Sequence, residues 1–361
     1  MIPGFEGFLE LNFSIAIQVV VLGFIGGVLS GFIGSGGAFF MTPGMMNLGV
    51  PGVMAVGSNI THKFGKALMG SRHHGEMGHV DKKLGLYMLI TALIGIRVAV
   101  WLNEMLFNMK GESHGEAAGS AAADLYISAI FVLILSAVAI SILRDTIKSG
   151  KAEGGPSTKM AETFAKIKIP PMISFKTADV RLSFWTISIV GLFTGYLAGT
   201  IGVGGFIGVP AMIYVFGVPT AVAAGTELYL AMYMGAWGAI NYAWGGFVDI
   251  RLVLLLYLGS LTGIYIGAYG TKVVKENIIR LVTGIIILLC VVSRGINIPV
   301  YLRDLNFMAI TDETAELLNS LSKYMLFASG ISGVAVILGS VVRAYTKRRK
   351  VQELLRRIDT A

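Results

Sequence analysis

Apolar residues run through this chain in long continuous stretches separated by short polar turns. They lie near 14–33, 37–48, 52–70, 84–107 and 125–143, then near 184–203, 206–218, 220–242, 252–270 and 278–296, with a last one at 324–342. A run of about 20 apolar residues is long enough to cross a hydrocarbon core of about 30 Å as a helix. The runs do not alternate apolar with polar, as the strands of a membrane barrel would. The pattern predicts an all-α polytopic membrane protein. Two stretches, 37–48 and 206–218, are too short for a full crossing at about 1.5 Å per residue. Each follows a glycine-rich break, GSGG at 34–37 or GVGG at 202–205, and reads as a half-helix or one arm of a re-entrant hairpin.

The two breaks belong to an internal duplication with an offset of 168 residues. Gly23, Gly27, Leu29, Gly31, Ile33, Gly34, Gly36 and Gly37 match Gly191, Gly195, Leu197, Gly199, Ile201, Gly202, Gly204 and Gly205. Gly49-Val50-Pro51 matches Gly217-Val218-Pro219, and Gly57-Ser58-Asn59 aligns with Gly225-Thr226-Glu227. Gly78, Val80 and Asp81 match Gly246, Val248 and Asp249, while Pro43 and Pro210 fall one residue out of register. Glycine and apolar matches are common among membrane helices, but the shared GVP and GxVD blocks make chance a poor explanation. Each half holds about five segments, and 324–342 has no partner.

Composition agrees with the pattern. The chain is 55% hydrophobic and 14% charged, with a mean hydropathy of +0.74, against about 25% charged residues in soluble domains. Its 47 glycines suit close helix packing and breaks buried in protein. The net charge of +8 does not indicate nucleic-acid binding, because the basic residues are gathered in a few loops. Segments 71–83, 144–183, 271–277 and 343–361 hold 20 Lys and Arg, whereas 1–13, 103–124, 244–251 and 294–323 hold five and carry Glu6, Glu10, Glu112, Glu116 and Asp124. This asymmetry places the N-terminus outside and the C-terminus inside a bacterial or archaeal cytoplasmic membrane. Five elements per half then make the repeats inverted, a frequent plan among secondary transporters.

The expected organisation is a first transmembrane repeat at 1–143, a basic, mobile cytoplasmic linker at 144–183 and a second repeat at 184–297. An extracytoplasmic loop with an extra transmembrane helix follows at 298–342, and a basic cytoplasmic tail at 343–361. The tail is either a surface-lying amphipathic helix or simply topology-setting charge. The single cysteine, Cys290, allows no internal disulfide. The first residues lack a basic n-region, so no cleaved signal peptide is expected.

A helix broken at membrane depth leaves backbone N–H groups that favour an anion. Two breaks related by a pseudo-two-fold axis would face one cavity; glycines serving only close packing are the alternative. Gly34, Ser35, Gly36, Gly37, Gly202, Gly204 and Gly205 are therefore candidate substrate contacts. Ser58 and Asn59, with their repeat mates Thr226 and Glu227, stand at the polar start of the next helix. Asn59, Lys63 and Lys66 are spaced to share one face of that helix, and His62 points partly aside. Charges inside a membrane protein are costly unless paired or wet. The lysines suggest an anion site, with Glu227 as counter-charge or proton carrier; snorkelling to the cytoplasmic surface is the alternative, most of all for Lys66. Arg97 is a further candidate, for coupling or for a structural ion pair. His73, His74, Glu76, His79 and Asp81 cluster within nine residues. Of these, His74 and His79 are weak metal candidates, since only Asp81 has a repeat mate. The absence of a GxxxxGK[ST] loop speaks against transport driven directly by ATP within this chain.

The stretches GFIGSGGAFFMTP…GVPGVMAVGSN and GTIGVGGFIGVP…GVPTAVAAGTE, each followed by a GxVD turn, resemble the TauE/SafE family of sulfite exporters over roughly 23–101 and 191–297. The resemblance implies a non-enzymatic secondary carrier of sulfite, sulfonates or related small organic anions, coupled to an ion gradient and working by alternating access. It also implies that both glycine-rich segments and the polar starts Ser58-Asn59 and Thr226-Glu227 line the substrate path. The 62–79 stretch, the 108–124 loop and the segment 324–342 depart from the family pattern. A divalent-metal carrier using the 73–81 histidines and a non-transporting sensor or assembly subunit are the rival classes. The expected partners are a small anion and the lipid bilayer, with no nucleic acid and no cofactor; homo-oligomerisation is left open.

Overall fold

A computed structural model describes residues 11–33, 37–109, 115–149, 169–274 and 276–359. Among the described residues there are eleven helices and one two-stranded hairpin. The first five helices are α1 (Phe13–Ile33), α2 (Ala38–Asn47), α3 (Gly52–Glu76), α4 (Lys82–Phe107) and α5 (Gly115–Ser149). After the hairpin β1 (Met172–Phe175) and β2 (Val180–Ser183) come α6 (Phe184–Ile201), α7 (Gly205–Tyr214), α8 (Thr220–Trp244), α9 (Ile250–Val273), α10 (Glu276–Asp304) and α11 (Asp312–Asp359). Seven of the described helices are long and apolar enough to cross a membrane: α1, α4, α5, α6, α9, α10 and α11. The short helices α2 and α7 have 10 residues each, as their position after the glycine breaks requires.

The same local signals start and stop the elements of both halves. Pro51 and Pro219 stand just before α3 and α8, where a missing N–H removes no helical bond. Gly49 and Gly217 take φ of 91° and 74°, left-handed backbone that closes the turn after each short helix and disfavours any residue with a Cβ. Asp81 and Asp249 cap α4 and α9, accepting from Leu84 N and Arg251 N at 2.9 Å.

Packing follows the duplication across the halves. Helix α1 lies mainly against α9, and α6 against α4. The glycines at 23, 27 and 31 meet Leu256, Ser260 and Ile264, and those at 191, 195 and 199 meet Met88, Ala92 and Ile96, every contact shifted by the same 168 positions. A Cβ on Gly23 would lie 2.6 Å from Leu256 O, and one on Gly27 2.5 Å from Ser260 O, so only hydrogen fits. Small residues at these crossings let backbones approach closely, which is how helices associate when lipid offers no hydrophobic contrast. Both pairs run parallel. The mates α3 and α8 instead run antiparallel at the centre, with Ile60 beside Gly238, Phe64 beside Gly235 and Leu228 beside Gly70. Helices α5 and α10 form a further pair, with α11 laid against α10. The outer surface is apolar, with Ile90, Ile94, Leu133, Leu254 and Leu258 exposed.

The linker ends in structure. Residues 144–149 continue α5, and 172–183 form the hairpin, paired in the register Met172↔Ser183; the glycine-containing run 151–159 lies outside the described residues. The hairpin turn is tied down by Asp81, whose Oδ2 accepts from Thr177 N at 3.1 Å and Ala178 N at 3.0 Å. Lys83 donates to Ser174 O at 3.0 Å and sits over the Phe175 ring. At the duplicated Asp249 the same carboxylate edge is taken by Arg251, Nη2 to Oδ2 at 2.8 Å. The tail continues α11 as helix as far as Asp359.

Two outcomes follow. Gly27→Ala and Gly195→Ala should each destabilise the protein in detergent by about 1–3 kcal/mol through backbone collision. Thermal unfolding should show no such loss for Gly75→Ala, where a Cβ meets nothing within 4 Å. Asp81→Ala removes a cap worth about 1 kcal/mol and both hairpin tethers, so trypsin should cut faster at Lys176 and Arg181. Asp249→Ala should leave that cleavage unchanged.

Candidate functional site

The end of α6 and the start of α2 meet in the core of the molecule. Helix α6 ends at Ile201, and its last carbonyls have no further turn to donate to them. Three other helices supply the donors. Tyr242 OH of α8 donates to Gly199 O at 2.6 Å, Asn103 Nδ2 of α4 to Thr200 O at 3.3 Å, and Thr42 Oγ1 of α2 to Ile201 O at 3.1 Å. Asn103 also donates to Tyr242 OH at 2.7 Å. Gly202 then turns the chain in the left-handed region, at φ 75°, as a helix C-cap commonly does.

Asn59 joins this break to the other one. Its Nδ2 donates to Ala38 O at 3.0 Å and to Thr42 Oγ1 at 2.8 Å, and it lies within 3.0 Å of the position of a Cβ on Gly202. Asn59, Thr42 and Thr200 are all fully buried. The first residue of α2 and the last of α6 are thus held through one asparagine and one threonine. Thr42 was not singled out in the sequence. Its signal was a lone hydroxyl beside Pro43 in a ten-residue helix whose other polar side chain is Asn47 at the end, where the second half has Val209 beside Pro210.

Beside this junction lies a cavity of about 60 Å³, lined by Lys63, Lys66, Glu227, Ala38, Gly205 and Val209 among others. Lys63 Nζ stands 4.0 Å from Glu227 Oε1, with side-chain exposures of 13% and 3%. At that distance the pair attracts but makes no hydrogen bond. Both Glu227 oxygens are buried without a hydrogen-bond partner, and so is Asn59 Oδ1. Glycine makes the room: a Cβ on Gly208 would strike Glu227 Oε2, and one on Gly204 would come 2.9 Å from Lys63 Nζ. Ala38 and Gly205 are the first residues of α2 and α7, and neither helix has a side-chain cap at its N-terminus. The starts of two helices without side-chain caps, the amino groups of Lys63 and Lys66 and a carboxylate without a hydrogen-bond partner therefore border one small space. This arrangement can hold an anion and a proton or cation together.

The sequence candidates divide around this space. Lys63, Lys66, Glu227 and Gly205 line it, and Gly204 faces Lys63; Asn59 and Gly202 meet at the junction with Thr42, and Gly37 packs against Gly26. Gly34, Ser35 and Gly36 lie outside the described residues. Ser58 and Thr226 turn elsewhere: their hydroxyls accept from Asp249 N at 3.2 Å and Asp81 N at 3.0 Å, fixing the two GxVD turns. His62 faces α9, with Nε2 2.7 Å from Ser260 Oγ and its ring against Tyr257. Arg97 is exposed on the outside of α4, away from the cavity. His74 lies 6.0 Å from His79 and 6.4 Å from His73, ring to ring. Among the described residues no three His, Cys, Asp or Glu side chains are gathered for a metal ion.

Comparisons with known proteins agree with the geometry. The profile of the family described as sulfite exporter TauE/SafE matches residues 19–294. The chain is similar to the probable membrane transporter protein YjnA of Bacillus subtilis (strain 168), 24% identical over 70% of this chain and 89% of that one. It is 27% identical to the probable membrane transporter protein YdhB of the same organism, over 72% and 89% of the two chains. A third Bacillus subtilis relative, the probable membrane transporter protein YunE, is 23% identical over 75% and 94%. No solved structure matches the chain. With the family profile covering most of its length and seven of its described helices long and apolar enough to cross a membrane, this integral membrane protein belongs to the sulfite exporter TauE/SafE family of membrane transporters.

Proposed function

We propose that the protein is a secondary transporter of a small sulfur-containing anion such as sulfite or a sulfonate, coupled to an ion gradient. The observation that carries this reading is the Lys63–Glu227 cavity at the uncapped starts of α2 and α7. Lys63 and the N-terminal ends of the two short helices hold the anion, and Lys66 adds positive potential from the same side. Glu227 is separated from Lys63 by more than a hydrogen bond, so it can exchange a proton or pair with a co-transported cation as the anion comes and goes. The reading takes its sulfur chemistry from the family and its anion preference from the charges.

The repeats are inverted about an axis between α3 and α8, in keeping with the antiparallel run of those mates and the reciprocal contacts at a shift of 168. The basic face carries the hairpin, and we take it as cytoplasmic. The Lys63–Glu227 pair then sits near mid-membrane, reachable from one side at a time as the two halves rock against each other.

Labelled sulfite, sulfate, a C2 sulfonate and a carboxylate, offered to proteoliposomes under an imposed proton gradient, test the proposal. Sulfite or sulfonate flux should exceed that of the carboxylate, and Lys63→Ala should lower it at least about tenfold, equivalent to about 1.4 kcal/mol. Glu227→Gln should leave anion exchange while removing its response to the gradient. Unchanged flux in both variants, with protein still inserted and monodisperse, would remove the pair from the mechanism.

A further inference from the structure

The turn of α3 that carries Lys63 is gripped by polar side chains of α9. Tyr257 OH accepts from Gly65 N at 3.1 Å and donates to Thr61 O at 3.4 Å. Those are the two groups that an uninterrupted helix pairs with each other, four residues apart. Gly65 leaves the space, since a Cβ there would strike the Tyr257 hydroxyl. One turn earlier, Thr61 Oγ1 donates back to Gly57 O at 2.8 Å. A side chain set into the ladder and a threonine bonded back along it each bend or loosen a helix. Beside this rung the fully buried His62 is hydrogen-bonded through Nε2 to Ser260 Oγ at 2.7 Å, one turn beyond Tyr257 on α9.

The other half of the chain has different residues at every one of these places. At the shift of 168, Tyr257, His62 and Ser260 correspond to Leu89, Leu230 and Ala92, all apolar and buried. Leu89 has no hydroxyl to set into α8. Lys63 and Lys66 correspond to Ala231 and Met234. The inserted tyrosine and the lysines therefore occur in the same half, and Lys63 lies between the two backbone groups that Tyr257 bridges.

The two members of the charged pair are held by different helices. Helix α9 is locked to α1 where Gly23 and Gly27 meet Leu256 and Ser260, on either side of Tyr257. Glu227 stands on α8, which is tied to α4 by Thr226 Oγ1, the acceptor for Asp81 N, and by Tyr229, which packs on Gly85. Helix α4 is in turn locked to α6 where Gly195 meets Ala92.

We propose that Tyr257 is a positioning residue for the Lys63–Glu227 site: by occupying a rung of α3 it makes a hinge at 61–65, so that Lys63 follows the α1–α9 pair while Glu227 follows α4 and α6. The inference deepens the transport reading above and rests on it for its cargo. Movement of one helix pair against the other then changes the 4.0 Å separation of Lys63 and Glu227 without unwinding either helix. An α3 closed on itself would hold Lys63 to its own axis instead.

Two substitutions reach the hinge from opposite sides. Tyr257→Phe removes the hydroxyl and keeps the ring, and Gly65→Ala expels the hydroxyl; in both, Gly65 N can return to Thr61 O. Hydrogen–deuterium exchange in detergent, without any anion, should slow about fivefold at 61–66 in each variant. The thermal midpoint should not fall, because one hydrogen bond replaces another. In proteoliposomes the KM for sulfite should rise about tenfold in both variants, as the lysine turn is displaced. Exchange that is unchanged or faster in both would overturn the hinge and leave Tyr257 a structural tie. Slowed exchange with an unchanged KM would overturn the positioning role. Gly65→Ala decides if Tyr257→Phe does not insert. If the unmodified protein carries neither sulfite nor sulfonate, the cargo reading fails, and the exchange result still decides the hinge.

Discussion

The carbonyls of Gly199, Thr200 and Ile201 are the point on which the centre of the molecule depends. A helix that stops inside a membrane protein leaves such acceptors where water does not satisfy them, and an unpaired backbone group there is costly. Thr42, Asn103 and Tyr242 provide the donors, each from a different helix. Satisfying these three groups brings α2, α4 and α8 to one place. It also fixes where α7 restarts, and so where its free N–H groups point. The cavity beside Lys63 and Glu227 is a consequence of that arrangement.

Duplication supplies the frame, and divergence within it supplies the chemistry. Contacts at the helix crossings repeat at the same shift because a glycine facing a backbone carbonyl has no acceptable substitute. Positions that face the centre are under no such steric rule. Asn59 ties two backbones together, whereas its mate Glu227 leaves both oxygens without partners. Asp81 anchors the hairpin through the same oxygen that Asp249 gives to Arg251. Arg294 is buried against Asn47 at the end of α2, whereas Asp145 and Arg280 line a cleft beside α7. A duplicated scaffold with unequal side chains packs its two short helices differently.

Much of this was legible in the residues. The break and the short element after it, the GVP and GxVD turns, and the asymmetry of basic loops gave the helices and their order. The i, i+4, i+7 spacing put Asn59 and Lys63 on the inner face of α3. Other assignments depended on neighbours that no local pattern names. That the hydroxyls of Ser58 and Thr226 each accept from a backbone N–H in the other half of the chain, at Asp249 and Asp81, had no local sign. Thr42, Asn103, Tyr242 and Arg294 carried little signal, because a single polar residue in an apolar run reads the same whether it faces lipid, solvent or an orphan carbonyl. The linker, read as mobile from its composition, ends in a hairpin because Asp81 offers its turn two hydrogen bonds.

The sequence by itself determined the membrane class, the twofold duplication, the position of the two glycine-rich breaks and the polar residues of the helix after each GVP turn. These follow from periodicity, length and glycine, whose effects are local or set by the bilayer. Only the tertiary structure decided which polar groups meet across the break and that Lys63 faces Glu227 without a hydrogen bond. Those outcomes depend on contacts between residues far apart in the chain, where a difference of one side chain's reach determines whether a buried group is satisfied by the protein or left for a ligand.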